Sequence, residues 1–480
     1  MSSSTRAASK APASHESPAA DPQASIARTI AAFAAPLRYE DVPERLREFA
    51  RYHVLDVVGT ALAARHYEFA HRAAAGLAPL NVGGNVSVIG LGVRYHLRDA
   101  ALLNGILAHG LDYDDTHTEA IVHPTASAFP CVLGLGEFLD AHGSDMLTAY
   151  LLGVEVSTRV GIAAHGTFHT SGYHTTGVAG HFGCAVAAGR LYNLGVAQLA
   201  TAQGLAGSTT SAISEHRADG AWNKRMHPGW AAVGGITAAS LARGGYVGTR
   251  RVYEGEDGLF RTHAGARLGD CDLGELTAGL GERWRAEEVA IKPFPICHIL
   301  HACADAALAL RRRHDLRPDD ILDVRALLHP ESFHYVCEPA ELRRKPVSDY
   351  MAKFSVQYVV AACLVRGRFG FAELEPDALK DPAILELAQR VSHDADPDSA
   401  FPKYFSGGVV IRMRDGRTLT HMEKVNRGNG DRALTPAEIE EKYLVNAELV
   451  LARHQAERVR DAVLGFDRHP VRALADVLRG

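Results

Sequence analysis

The chain has 480 residues, more than one compact core usually holds, so two domains are expected. Hydrophobic residues make up 47% and charged residues 22%, ordinary values for a soluble globular protein. The formal net charge of -5 gives no general attraction to nucleic acid or to an anionic membrane, so an anionic ligand must be held by a local cluster of cations.

Residues 1–24 are rich in Ser, Ala and Pro, with too few bulky apolar side chains to pack, and a disordered tail is expected there. The stretch carries Glu16 and Asp21 and lacks the apolar core of a secretory signal. No run of about 18 uncharged apolar residues follows it. Seven cysteines, an odd number without a CxxC pair, fit a reducing cytoplasm better than a disulfide framework.

From Ile26 to about Ala290 the pattern is helical. Ile26, Ile30, Phe33 and Leu37 open it at helical spacing, and Leu46–Ala64 continues it. Later stretches, Gly177–Leu191 and Ala231–Ala242, are dense in Gly and Ala. Glycine costs a helix up to about 1 kcal/mol per residue, so such helices imply neighbours close enough to use the missing side chains. Near Lys292 the character changes. Ile321–Leu328 has strand composition, and Gly407–Met413 and Thr418–Lys424 flank Asp415-Gly416, a hairpin signal. Ala302–Arg312 and Ser355–Val365 read as helices, as do Pro436–Arg453 and Gln455–Leu464. The expected class is therefore mainly α. Residues 25–290 form a large all-helical domain and 291–435 a smaller α+β lid. Residues 436–480 add C-terminal helices that pack back on the first domain.

Four polar clusters stand out, three of them at helix starts. The first is His109-Gly110-Leu111-Asp112-Tyr113-Asp114-Asp115-Thr116-His117 with His123-Pro124-Thr125, where Pro124 suits the first turn of the next helix. Asp and His together can supply a base and a proton donor; a solvated capping loop would look the same. His174 opens the Gly-rich helix from Gly177, a position that is more often structural than catalytic. Lys224-Arg225-Met226-His227 precedes Pro228, so cations stand where helix N–H groups also point, a good anion site or a basic surface patch. Lys292-Pro293-Phe294-Pro295, followed by His301, falls at the domain junction, where clefts form; it also reads as a stiff linker. Recurrent Asp, His, Lys and Thr at helix starts imply a compact anionic ligand, held by Lys224, Arg225, Lys292 and His301. There is no HExxH, zinc-ligand spacing, phosphate-binding loop or GxSxG elbow. His117 and His123 with the Asp cluster could hold a metal in principle.

These clusters resemble the MmgE/PrpD family. The matching stretches are HGLDYDDTH with HPTAS, GYHTTGVAGHFG, KRMHPGWAA, YEGEDGLFR, KPFPICHILHACADAAL and, more weakly, AKFSVQYVVAACL. They occur in family order and span nearly the whole chain after the tail. The resemblance implies a helical domain made of N- and C-terminal segments, an α+β lid, a homodimer, and no metal or organic cofactor. It implies site roles for Asp112, Thr116, His123, His174, Lys224, Lys292 and Tyr358. The family includes 2-methylcitrate dehydratases, cis-aconitate decarboxylases and an iminodisuccinate epimerase. The first loop here lacks the Trp found in some methylcitrate dehydratases, which weakens methylcitrate as substrate. The expected function is a cofactor-free lyase on a small di- or tricarboxylate. An epimerase of a dicarboxylate or imino-dicarboxylate is the alternative, and a non-catalytic binding protein the third reading. In the first two, Lys224 and Lys292 clamp carboxylates, His123 and His174 move protons, Asp112 orients or tunes one of these histidines and Thr116 donates a hydrogen bond.

Overall fold

The computed structural model describes residues 24–216, 220–401 and 403–480, so the expected tail lies outside the described residues except for Ala24. The class is mainly α, with a large helical part and a smaller α+β part. Two apolar cores divide the chain. One draws its buried residues from Ala27 through Val289 and again from Tyr443 through Leu478. The other runs from Phe294 through Met413.

In the helical part, Glu44–Ala64 is amphipathic at its start and wholly buried from His53 onward. Gly143–Ala164 and Thr175–Leu191 are buried almost all round, the mark of helices inside a core rather than on its surface. Gly143–Ala164 has the length and apolar content to cross a membrane, but its apolar window is entirely buried inside the protein. The small residues act as the sequence suggests. A Cβ on Gly183 would lie 2.3 Å from the Gly153 carbonyl oxygen, and one on Gly105 only 2.2 Å from Gly229 Cα. The second crossing sets the C-terminal turn of Leu97–His109 beside the N-terminal turns of Asn223–Arg243, which is how residues distant in sequence reach one place.

Strands β1 (Val86–Val88) and β2 (Leu91–Tyr95) form a small antiparallel pair within the helical part, which the sequence pattern did not signal. The second sheet has the order β4-β3-β5-β6, with β3 at Ile321–Leu328, β4 at Val391–Ala395, β5 at Gly407–Met413 and β6 at Thr418–Glu423. Only the β3–β4 pair is parallel. The expected hairpin is β5–β6, turning at Gly416 in a left-handed conformation (φ 91°). Val324, Ala326 and Leu328 face the helices His301–His314 and Val356–Arg366.

The expected helix Pro436–Arg453 is shorter than its pattern. It starts at a Thr435/Glu438 capping box, ends at Ala447, and the chain restarts as a helix at Arg453. Tyr443 packs on Gly59, where a Cβ would meet its ring at 3.0 Å. A last helix, Val471–Arg479, adds Leu474 and Leu478 to the first core.

Candidate active site

The site is built around the loop that follows Leu97–His109. Asp112 takes a left-handed backbone conformation (φ 53°), which Asp tolerates better than most residues. Three buried ammonium groups hold three consecutive carbonyls of this turn. Lys353 Nζ donates to Leu111 O at 2.8 Å, Lys292 Nζ to Asp112 O at 2.8 Å and Lys442 Nζ to Tyr113 O at 2.9 Å. Two of these lysines come from the α+β part and the third from the C-terminal helices.

The Asp112 carboxylate lies between two cations. Lys292 Nζ donates to Oδ1 at 2.8 Å and Lys224 Nζ to Oδ2 at 2.9 Å. Burial pushes this carboxyl up, but Lys224 and Lys292 outweigh it and hold it well below the usual carboxylate range. An ammonium has three N–H donors. Among the described residues, Lys292 directs two of them at Asp112 and Lys224 one, so donors remain on both for a ligand.

Three imidazoles gather beside this centre. His123 Nδ1 lies 2.8 Å from the Asp115 carbonyl, which only accepts, so Nδ1 carries the proton and Nε2 is a bare base. That Nε2 lies 3.9 Å from Asp112, and Thr116 Oγ1 sits 3.0 Å from Nδ1. His174 caps the helix Thr175–Leu191 and shares a hydrogen bond between its Nδ1 and that of His227 at 3.1 Å. His109 Nδ1 meets Asp114 at 2.8 Å. Burial, reinforced by the nearby lysines, holds all three well below the ordinary histidine range, so they are neutral. Among the described residues, Nε2 of His109 and of His174 is buried without a hydrogen-bond partner. An unsatisfied buried polar atom is costly and points to a ligand or a reacting proton.

Asp112, Thr116, His123, His174, Lys224 and Lys292 all line one cavity of about 980 Å³. Cys297, His298, Phe354 and Phe405 contribute its other wall. The sequence therefore placed six of its site residues together. Three others lie elsewhere. Tyr358 is buried in the second core and donates its hydroxyl to the Glu373 carbonyl at 2.7 Å, so it is not at the cavity. Arg225 is enclosed by the Phe69, Trp222 and Tyr350 rings, with Asp349 at 3.7 Å, and does not line the cavity. His301 is fully buried, its Nε2 directed at the Ile296 carbonyl at 3.3 Å; His298, 4.6 Å away ring to ring, lines the cavity instead. Pro228 is also not the first helical residue. The helix begins at Asn223, so Lys224 projects from its first turn.

Sequence reasoning missed His109, His227, His298, Lys353 and Lys442. All but Lys442 lie inside the stretches quoted above, where attention to the neighbouring polar residues would have found them. Lys442 sits in an acidic helix with no local sign of its role.

His109, His123 and His174, or His109 and His123 with Asp112 and Asp114, offer ligand atoms within 4.8 Å of one another. Two ammonium groups on Asp112 put positive charge at that position, which opposes a divalent cation.

The MmgE/PrpD N-terminal domain model matches residues 28–268 and the MmgE/PrpD C-terminal domain model residues 294–468. A cis-aconitate decarboxylase-like protein, oryM, of Aspergillus oryzae is 26% identical over 466 residues, 93% of this chain and 95% of its own length. The cis-aconitate decarboxylase of Aspergillus terreus is 27% identical over 463 residues, 92% of this chain and 93% of its own. That of Homo sapiens is 29% identical over 395 residues, 79% of each.

Proposed function

Because the chain belongs to the MmgE/PrpD family, we propose that its cavity is the active site of a lyase for small di- or tricarboxylates, and that its reaction is the decarboxylation of cis-aconitate or a close analogue without metal or organic cofactor. The observation that carries this reading is the pair of buried ammonium groups, Lys224 and Lys292, fixed on one carboxylate with donors to spare and flanked by neutral imidazoles.

The chemistry follows from the substrate. In cis-aconitate one carboxymethyl group is allylic to the C=C bond. When its carboxylate leaves as CO2, the released electron pair moves through the double bond to the carbon beside another carboxylate. That carbon takes one proton, and the double bond comes to rest at the former methylene. The trianion plus one proton gives CO2 and a dianion. The barrier is the charge that develops next to a carboxylate. Preorganised cations in a site shielded from water stabilise it by several kcal/mol, by the measure of about 2.7–4 kcal/mol for one such donor elsewhere. Lys224 and Lys292 fill that role, Asp112 sets their direction, and His123 or His174 delivers the proton. Burial and the lysines keep these imidazoles neutral by themselves; incoming carboxylates favour their charged form and load the proton where it is needed.

His123 and His174, with ring centroids 6.0 Å apart, also suit epimerisation, in which one base removes a proton and another returns it. Proton NMR in deuterated water with cis-aconitate, 2-methylcitrate and iminodisuccinate separates the readings. The proposal expects consumption of cis-aconitate and one deuterium in the product. Deuterium exchange without consumption identifies an epimerase, and no change in any acid refutes both. We also propose a homodimer through the exposed stripe of Met226, Trp230 and Leu241, which sedimentation equilibrium tests.

A further inference from the structure

The cavity is much larger than the acid proposed for it. Its volume of about 980 Å³ lies at the top of the range, about 300–1,000 Å³, that encloses drug-sized ligands, and a six-carbon tricarboxylate is several times smaller. The Lys224–Asp112–Lys292 centre occupies only its buried end. At the other end His165, Thr170, Arg267, Asp270, Glu331 and His334 are exposed.

Four rings in series join the two ends. His298 meets Phe405 edge to face at 5.6 Å, Phe405 stacks on Phe401 at 5.8 Å, and Phe401 stacks on His329 at 4.5 Å. All four line the cavity. His298 and Phe405 are buried, and Phe401 and His329 are half-buried. Burial pushes His298 down to about 3, so the deep end of this wall is uncharged. Ile121, Ile299 and Tyr335 line the same space.

We propose that the site takes a polycarboxylate bearing an alkyl tail, with the carboxylate head at Lys224 and Lys292 and the tail along His298, Phe405, Phe401 and His329. This rests on the reading of the charged end as a carboxylate site and adds what fills the remainder. A ring wall loses its hydration gladly against methylenes, which is the source of the attraction. The acids on the lining, Glu119, Asp270 and Glu331, outnumber Arg267 and disfavour an anionic tail such as a phosphate ester.

The test is calorimetric binding of tricarballylate, which lacks the double bond and does not turn over by the allylic route, and of its C-butyl and C-hexyl derivatives. Affinity is expected to rise about fourfold per methylene that leaves water, and the gain should shrink in Phe401→Ala. If tricarballylate binds and the alkylated acids bind no tighter or more weakly, the cavity closes on a small acid and the tail assignment is overturned while the head site stands. If none binds, the head site falls and the tail with it.

Discussion

Two buried carboxylates on opposite sides of one loop have different fates. Asp112 meets two ammonium groups, lines the cavity, and is held well below the usual carboxylate range because the cations outweigh its burial. Asp56 meets one: Lys442 Nζ lies 2.6 Å from Oδ1, and among the described residues neither carboxylate oxygen has a well-aligned hydrogen bond. Burial wins there and pushes Asp56 up to about 6. Lys442 is itself pushed down by the same burial, and its best hydrogen bond goes to the Tyr113 carbonyl. The difference teaches that one cation does not offset the cost of burying a carboxylate, whereas two more than offset it. Asp56 with Lys442 braces the loop; Asp112 with Lys224 and Lys292 forms the cavity centre proposed to receive an anion.

The largest expected effect comes from removing the better-bound cation. Lys292→Met takes away two charged hydrogen bonds, each worth about 1.5–3 kcal/mol. It should lower kcat/KM for cis-aconitate by about a thousandfold, read by CO2 release. A loss of under tenfold would show that the second cation does not matter. Lys224→Met removes one such bond, and a fall of about tenfold to a hundredfold is expected. Unchanged kinetics would make Lys224 merely structural.

How much of this contrast was legible in the sequence depends on the length of the pattern that encodes each part. The Gly-rich helices, the Asp415-Gly416 hairpin and the helix His301–His314 are local patterns and could be read directly. The cations of Asp112 were visible because Lys224 and Lys292 sit in dense polar clusters. Lys442 was not, since it is one lysine in an acidic helix and acquires its role by meeting a backbone carbonyl far away in sequence. Tyr358, Arg225 and His301 show the converse: polar residues in the right stretch whose side chains point into a core. Helix periodicity gives a face but not which neighbour occupies it.

The pH dependence of stability sharpens the comparison further, because the two carboxylates act with opposite sign. For Asp56, folded near 6 and unfolded near about 3.9, both states hold the proton at low pH, only the folded state holds it in between, and neither holds it above the folded value. Its contribution is therefore full below about pH 4 and lost as pH rises through about 6, a change of about 3 kcal/mol. Asp112 behaves oppositely: its contribution is present above about pH 4 and lost as pH falls toward its depressed folded value. Asp56→Asn cannot titrate, so the melting temperature of wild type relative to this variant should be highest near pH 4 and fall by pH 7. A difference independent of pH would show that burial does not raise Asp56. The smallest expected effect is that of exhaustive chelation, which should leave kcat/KM unchanged, since the ammonium groups of Lys224 and Lys292 beside His109, His123 and His174 oppose a divalent cation there. Loss of activity restored by one divalent metal would contradict that.

The most direct measurement applies one substitution to both sites. CO2 release from cis-aconitate is compared for wild type, Asp112→Asn and Asp56→Asn at matched, folded concentrations. The account predicts release by wild type, kcat/KM within about threefold of it for Asp56→Asn, as for a change that touches no reacting group, and at least about a hundredfold loss for Asp112→Asn, which leaves two ammonium groups undirected. Equal losses in the two variants, or no release by the wild-type protein, would contradict it.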